Sequence, residues 1–105
     1  MSDWKETSDN DTGVMETTDF DVPPNYAVRL YNDDYTTKDF VVAVLERVFH
    51  KSEVEAVTLM ETVHKEGSAI VGVYTYDIAA TRAELTRSIA REEGFPLRVD
   101  IVRVV

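Results

Sequence analysis

The residues best suited to chemistry are the tripeptide Asn32-Asp33-Asp34 and two histidines, His50 and His64. A carboxylate near an imidazole suits acid–base work, whereas carboxylates grouped with an amide suit the capture of a cation. The catalytic reading lacks its other parts. No serine stands out as the nucleophile a hydrolase triad needs, and neither Gly-x-Ser-x-Gly nor a Gly-Lys-Ser/Thr phosphate loop occurs. With four glycines in all, the chain has no glycine-rich loop. His50 and His64 fall on different expected elements, so their spacing makes no metal site. Cysteine is absent, which excludes disulfides, thiol catalysis, iron–sulfur clusters and cysteine-based zinc sites. We therefore expect a protein that is not an enzyme and carries no metal and no cofactor.

The elements that must position these residues are well punctuated. Tyr26 to Tyr31 alternates, with Tyr26, Val28 and Leu30 on one face, and reads as a strand. Asn32-Asp33-Asp34-Tyr35 is turn chemistry, and Thr36-x-x-Asp39 resembles a capping box. A helix is expected from about Thr37 to His50, with Phe40, Val41, Val44, Leu45, Val48 and Phe49 as its apolar stripe. Ser52-x-x-Glu55 is a fuller capping box that opens a second helix, which Gly67 ends at about Glu66. Its expected inward face is Val54, Val57, Met60, Val63 and His64, and only Lys51 and Ser52 separate it from the first helix.

Ala69 to Tyr74 is a β-branched run and reads as a strand, and Thr75 is placed to cap a third helix from about Tyr76 to Glu93. Gly94 closes that helix and Pro96 blocks its continuation. Leu97 to Val104 is the last strand, with a bulge or fraying end expected at Val102-Arg103, where the alternation fails. The order β-α-α-β-α-β implies an α+β two-layer sandwich, with three helices packed on a small three-stranded antiparallel sheet.

The 105 residues carry a net charge of −9, which argues against a nucleic-acid binder and against docking on an anionic membrane. No stretch resembles a secretory signal or approaches the ~20 apolar residues of a membrane span. A cytoplasmic protein is the expectation. Residues 1–24 hold seven acidic residues against Lys5 alone, and their apolar residues Trp4, Val14, Met15, Phe20 and Val22 show no period. Such a segment by itself cannot offset its ordering entropy. It reads as a disordered acidic N-terminal leader, followed by a core domain over residues 25–105. Asp9-Asn10-Asp11-Thr12-Gly13 fails as a calcium loop because its glycine comes one position early, and Asn10-Asp11-Thr12 is a glycosylation pattern without a secretory context.

A turn that merely enters a helix is the plain reading of Asn32-Asp33-Asp34, and a histidine on an apolar helix face is more often a rim residue than a ligand. If the helical hairpin brings His64 near Asn32 and Asp34, the result is an apolar pocket rimmed by carboxylate, amide and imidazole. Such a rim suits a primary ammonium that carries a hydrophobic side chain.

At these residues the chain resembles a known family. Tyr31-Asn32-Asp33-Asp34-Tyr35-Thr36, Phe40-Val41, Val44-Leu45, Ala56 to Met60, Val63-His64, Gly67, Ala69-Ile70 and Gly72-Val73-Tyr74-Thr75 are similar to the ClpS adaptors. So are Ala79, Thr81 and the stretch from Ala90-Arg91-Glu92 to Pro96-Leu97, and together the match covers residues 25 to about 100. The resemblance implies an adaptor that binds proteins with a bulky hydrophobic N-terminal residue (an N-degron). It implies delivery of them to the N-domain of a ClpA- or ClpC-type AAA+ unfoldase, for degradation by ClpP.

Carried onto this chain, the resemblance assigns the substrate α-amino group to Asn32, Asp34 and His64, with Asp33 beside them near the peptide backbone. It places Leu30, Tyr31, Thr36, Lys38, Val41, Met60, Val63 and Leu97 around the side-chain pocket. It puts the unfoldase interface on the Tyr74 to Arg82 region, with Asp77 and Arg82 as its charged positions, and implies a monomer whose disordered leader precedes the domain. The chain departs from the family at Lys38, where many members carry a Met that helps exclude β-branched side chains, and at Thr37, where Pro is frequent. Two rival readings remain: a small interaction domain whose Asn-Asp-Asp turn serves only the fold, and a binder of small hydrophobic amines.

Overall fold

The computed structural model describes residues 24–104. The expected leader, apart from Pro24, and the two discarded motifs within it lie outside the described residues. Strand β1 (Asn25–Tyr31) is followed by helices α1 (Lys38–Arg47) and α2 (Glu53–Glu66). Strand β2 (Ser68–Thr75), helix α3 (Tyr76–Glu93) and strand β3 (Val99–Val104) complete the order β-α-α-β-α-β. The three strands form one antiparallel sheet in the order β2-β1-β3, so the first strand in sequence is the central one.

Val28 and Leu30 of β1 are fully buried against Val41, Val44 and Leu45 of α1, Ala56, Met60 and Val63 of α2, and Ala79, Ala83 and Ala90 of α3. All three helices thus lie on one face of the sheet, the two-layer arrangement expected from the pattern. At about 25 cal/mol per Å² of apolar surface, this shared burial is the main stabilising contribution.

Local chemistry sets the helix ends. The Ser52 hydroxyl accepts from the Glu55 amide while the Glu55 carboxylate accepts from the Ser52 amide, both at 3.1 Å. Gly67 and Gly94 end α2 and α3 in the left-handed region, at φ 94° and 80°, where a side chain would be strained.

Five local expectations need correction. Thr37, not Thr36, caps α1, accepting from the Phe40 amide at 3.1 Å, because Thr36 is already held by Asp33. Helix α1 stops at Arg47, and Val48 and Phe49 turn inward to be buried. That turn places His50 at φ 56° and leaves five residues between the helices rather than two. The inward face of α2 is Ala56, Met60 and Val63, while Val54 and Val57 are exposed and His64 stands on the surface. An i, i+3, i+4 count started from Val54 selects a stripe rotated away from the one that meets α1 and β2.

Thr75 occupies the cap position of α3 without making a side-chain cap bond. Lastly, β3 begins at Val99 and pairs with β1 without interruption up to Val104, and the irregularity falls instead on the β1–β2 pair, beside Val28 and Arg29. Val102 broke the alternation because it lies on the sheet face that the helices leave open.

Candidate functional site

One backbone bond explains how residues far apart in sequence meet. Where β1 ends, the Asn32 amide donates to the Gly67 carbonyl at 2.9 Å, and the Gly67 amide donates to the Val63 carbonyl at 2.9 Å. Pairing of Tyr31 with Ser68 carries the strand register up to this bond. The loop after β1 is therefore fastened to the last turn of α2, the turn that carries His64.

Asp33 gives that loop its shape. Its Oδ1 accepts from the Tyr35 amide at 2.8 Å and the Thr36 amide at 2.7 Å, and its Oδ2 accepts from the Thr36 hydroxyl at 2.7 Å. Partial burial works to raise the Asp33 pKa, but the Thr36 amide, the Thr36 hydroxyl and the Tyr35 amide together outweigh it. The carboxyl is held below its ordinary value of 3.8.

Between this loop and the two helices lies a cavity of about 280 Å³, lined by Asn32, Asp33, Asp34, Thr36, Lys38, Val41, Met60, Val63 and His64. Its floor is the core itself, because Val41, Met60 and Val63 are buried. Its rim is polar: Asn32, Asp34, Lys38 and His64 are exposed. With both Asp33 oxygens engaged, the Asp34 carboxylate, the Asn32 amide oxygen and the His64 imidazole remain as acceptors that make no hydrogen bond among the described residues. A group that enters with a positive end and an apolar body finds acceptors for the first and a dry floor for the second. Lys38 puts a cation on the same rim, so the site is not uniformly negative. Among the described residues there is no cluster of three or more His, Asp or Glu side chains able to hold a metal ion.

Three residues expected around the pocket line other surroundings. Leu30 is fully buried beneath the helices. Tyr31, one residue on, faces the opposite side of the sheet. There its hydroxyl donates to Asp100 Oδ2 at 2.9 Å and the Arg98 guanidinium lies 4.3 Å from its ring centroid. Leu97 lines a separate cavity of about 240 Å³ with Phe95, Pro96, Val99 and the α3 residues Arg87, Ala90 and Arg91.

The second expected surface begins where β2 passes directly into α3. Asp77 is exposed in the first turn of α3. Arg82 is half-buried: it donates to the Val48 carbonyl at 2.9 Å, and its guanidinium lies 4.9 Å from the Tyr74 ring centroid. Tyr74 in turn packs toward Phe49 and covers Gly72, where an added Cβ would collide with the Tyr74 ring.

Sequence reasoning missed two of these roles. The Asp33 brace had a signal, an Asp followed by Thr at the third position, which is local turn chemistry. The tie between Arg82 and the α1 terminus had none, because it spans 34 residues.

With this geometry in view, comparison with known proteins is decisive. A family model described as "ATP-dependent Clp protease adaptor protein ClpS" matches residues 21–100. The chain belongs to the ClpS family. An ATP-dependent Clp protease adapter protein ClpS from Oleidesulfovibrio alaskensis is 42% identical over 104 residues, covering 99% of this chain and 100% of that one. Its counterpart from Myxococcus xanthus is 52% identical over 79 residues, 75% of this chain and 74% of its own. A solved structure of Agrobacterium tumefaciens ClpS2 bound to L-phenylalaninamide superposes with a TM-score of 0.76 at 43% identity, covering 78% of this chain and 99% of that one. As a ClpS protein the chain is an adaptor of the ATP-dependent Clp protease, a family defined by adaptor function rather than by catalysis. Among the described residues, no helix is long and apolar enough to cross a membrane.

Proposed function

We propose that the cavity between the Asn32–Thr36 loop and α2 binds proteins whose N-terminal residue is bulky and hydrophobic, namely Leu, Phe, Tyr or Trp. Asp34, Asn32 and His64 receive the free α-ammonium group, and Val41, Met60 and Val63 receive the side chain. Asp33 holds the loop in register beside the peptide backbone. The chain acts as a cytoplasmic monomer that passes its cargo to a ClpA- or ClpC-type AAA+ unfoldase for degradation by ClpP. The Tyr74–Arg82 segment, with Asp77 and Arg82, meets the unfoldase N-domain. Residues 1–22 serve delivery more than binding, so their removal leaves peptide affinity nearly unchanged and lowers the degradation rate of a Leu-headed reporter.

The observation that carries this reading is the gathering of three open acceptors over a buried apolar floor in one cavity of about 280 Å³. The ClpS2 structure supports it, because L-phenylalaninamide combines a free α-amino group with a benzyl side chain. Titration of a Leu-headed peptide with a free or an acetylated N-terminus tests it. Acetylation removes the charge that the rim is built to receive, and we expect a loss of about a hundredfold, near 2.7 kcal/mol. Equal affinity for the two peptides would leave the Asn-Asp-Asp turn with a folding role alone. Tight binding of a simple hydrophobic amine, with no gain from the peptide, would identify a small-molecule binder.

A further inference from the structure

The helices cover one face of the sheet and leave the other open, and that open face is not polar. Across its middle the strand pairing sets Val73, Ala27 and Val102 side by side, and the next row is Ile70, Arg29 and Asp100. Val73, Ile70 and Val102 are 50%, 44% and 37% exposed. Ala27 differs from them: it points away from the helices and lies outside the core cluster, yet it is fully buried. The chain enters this face at Asn25, which pairs with Thr75 and Val104 at the edge of the apolar row. Immediately before it the sequence carries Val14, Met15, Phe20 and Val22 interleaved with Glu16, Asp19 and Asp21. Pro23-Pro24 offers no backbone N–H to extend the strand, so the chain must leave the ladder here.

We propose that residues 14–22 of this chain fold back across the open sheet face, seating Phe20 on the Val73–Ala27–Val102 row and Asp19 beside Arg29. The reach is sufficient: Phe20 precedes Asn25 by about 16 Å of extended chain, and the apolar row lies only about 7 Å along β1 from Asn25. The charges complement, because Arg29 is central on the face and the incoming segment is acidic. The segment cannot fold by itself, but a preformed apolar face requires the ordering of only a few residues. This inference concerns a surface remote from the cavity and goes beyond the proposed function.

The absence of cysteine makes the test direct. Thr18→Cys in the full-length chain provides one attachment point for a nitroxide, read by paramagnetic broadening of backbone amides. We expect strong broadening at Ile70 and Asp100. Adding Phe20→Ser and Val22→Ser to the same labelled chain should reduce it by roughly fivefold, as a docked segment becomes a free tether. Amide shifts of the helices report that both proteins are folded. Equal broadening with and without the two serines overturns the proposal. So does broadening that persists when labelled chain is mixed with isotope-enriched, unlabelled chain, since the face would then be covered by a second copy.

Discussion

Two cavities flank α1, and they are nearly the same size: about 280 Å³ on the α2 side and about 260 Å³ on the α3 side. The second is lined by Phe40, Ala43, Val44, Val48 and Ile89, with Arg47 and Glu93 as its charged residues. Either could admit a hydrophobic side chain by volume alone. Only the first sets acceptors from a loop and a helix end around one point. The difference teaches that space and apolar lining determine what fits, whereas acceptors left open by the fold determine what is recognised. A positive group brought into the first cavity regains the hydrogen bonds it loses with water.

The largest way to break this contrast is to remove an acceptor. Asp34→Ala and His64→Ala should each weaken binding of a Leu-headed peptide at least tenfold, or about 1.4 kcal/mol, with thermal stability little changed because both side chains are exposed. Filling the other cavity with Ala43→Met should change that affinity by no more than about twofold. Unchanged affinity in folded Asp34→Ala, or a large loss in Ala43→Met, would reverse the assignment of the two cavities.

A smaller effect sharpens the first cavity. Lys38 lies on its rim with an aliphatic stem and a head group that prefers water, so it closes the mouth less firmly than a thioether. Lys38→Met should leave Leu- and Phe-headed peptides within a few-fold and weaken Ile- and Val-headed ones, within the ~1–3 kcal/mol that one methyl group is worth in such a pocket. Four affinities measured on both proteins decide it. If the native protein already rejects Ile and Val as strongly, another residue closes the pocket.

The smallest effect concerns the loop that presents the acceptors. The Asp33 carboxyl has a lowered pKa in the folded chain, so the ionised form is the one the fold prefers. Its contribution is complete above the ordinary carboxylate value and is lost as pH falls through the lowered one. Asp33→Asn should therefore be less stable than the native chain at pH 7, with the gap narrowing toward pH 3. Urea melts at the two pH values measure this, and a gap that widens in acid would contradict the hydrogen-bonding role.

Much of the fold was legible because its signals are local. Ser52 and Glu55 satisfy each other three residues apart, Gly67 and Gly94 supply the left-handed residue that ends a helix, and the alternation in Tyr26–Tyr31 needs only its own pleat. The α2 stripe was misread for the opposite reason. Val54 and Val57 are as apolar as Val63, and only contact with α1 and β2 decides which valine is inside. The same holds for Val102, whose exposure depends on where no helix packs.

The site divides along the same line. The sequence by itself determined the chemical types, an Asn-Asp-Asp turn after a strand and a histidine on a capped helix, and it carried the resemblance that implied their use. It also contained the Asp33–Thr36 bonds, which close over three residues. Tertiary structure alone decided that Asn32 would be bonded to Gly67 and so stand beside His64, and that Tyr31 would turn to Asp100 on the far face while Leu30 sank into the core. Those outcomes depend on strand order and on the packing of α2 against the sheet. A contact between residues dozens of positions apart has no local pattern to announce it. It is set by the closing of the whole core, where each helix takes the orientation that buries the most apolar surface at once.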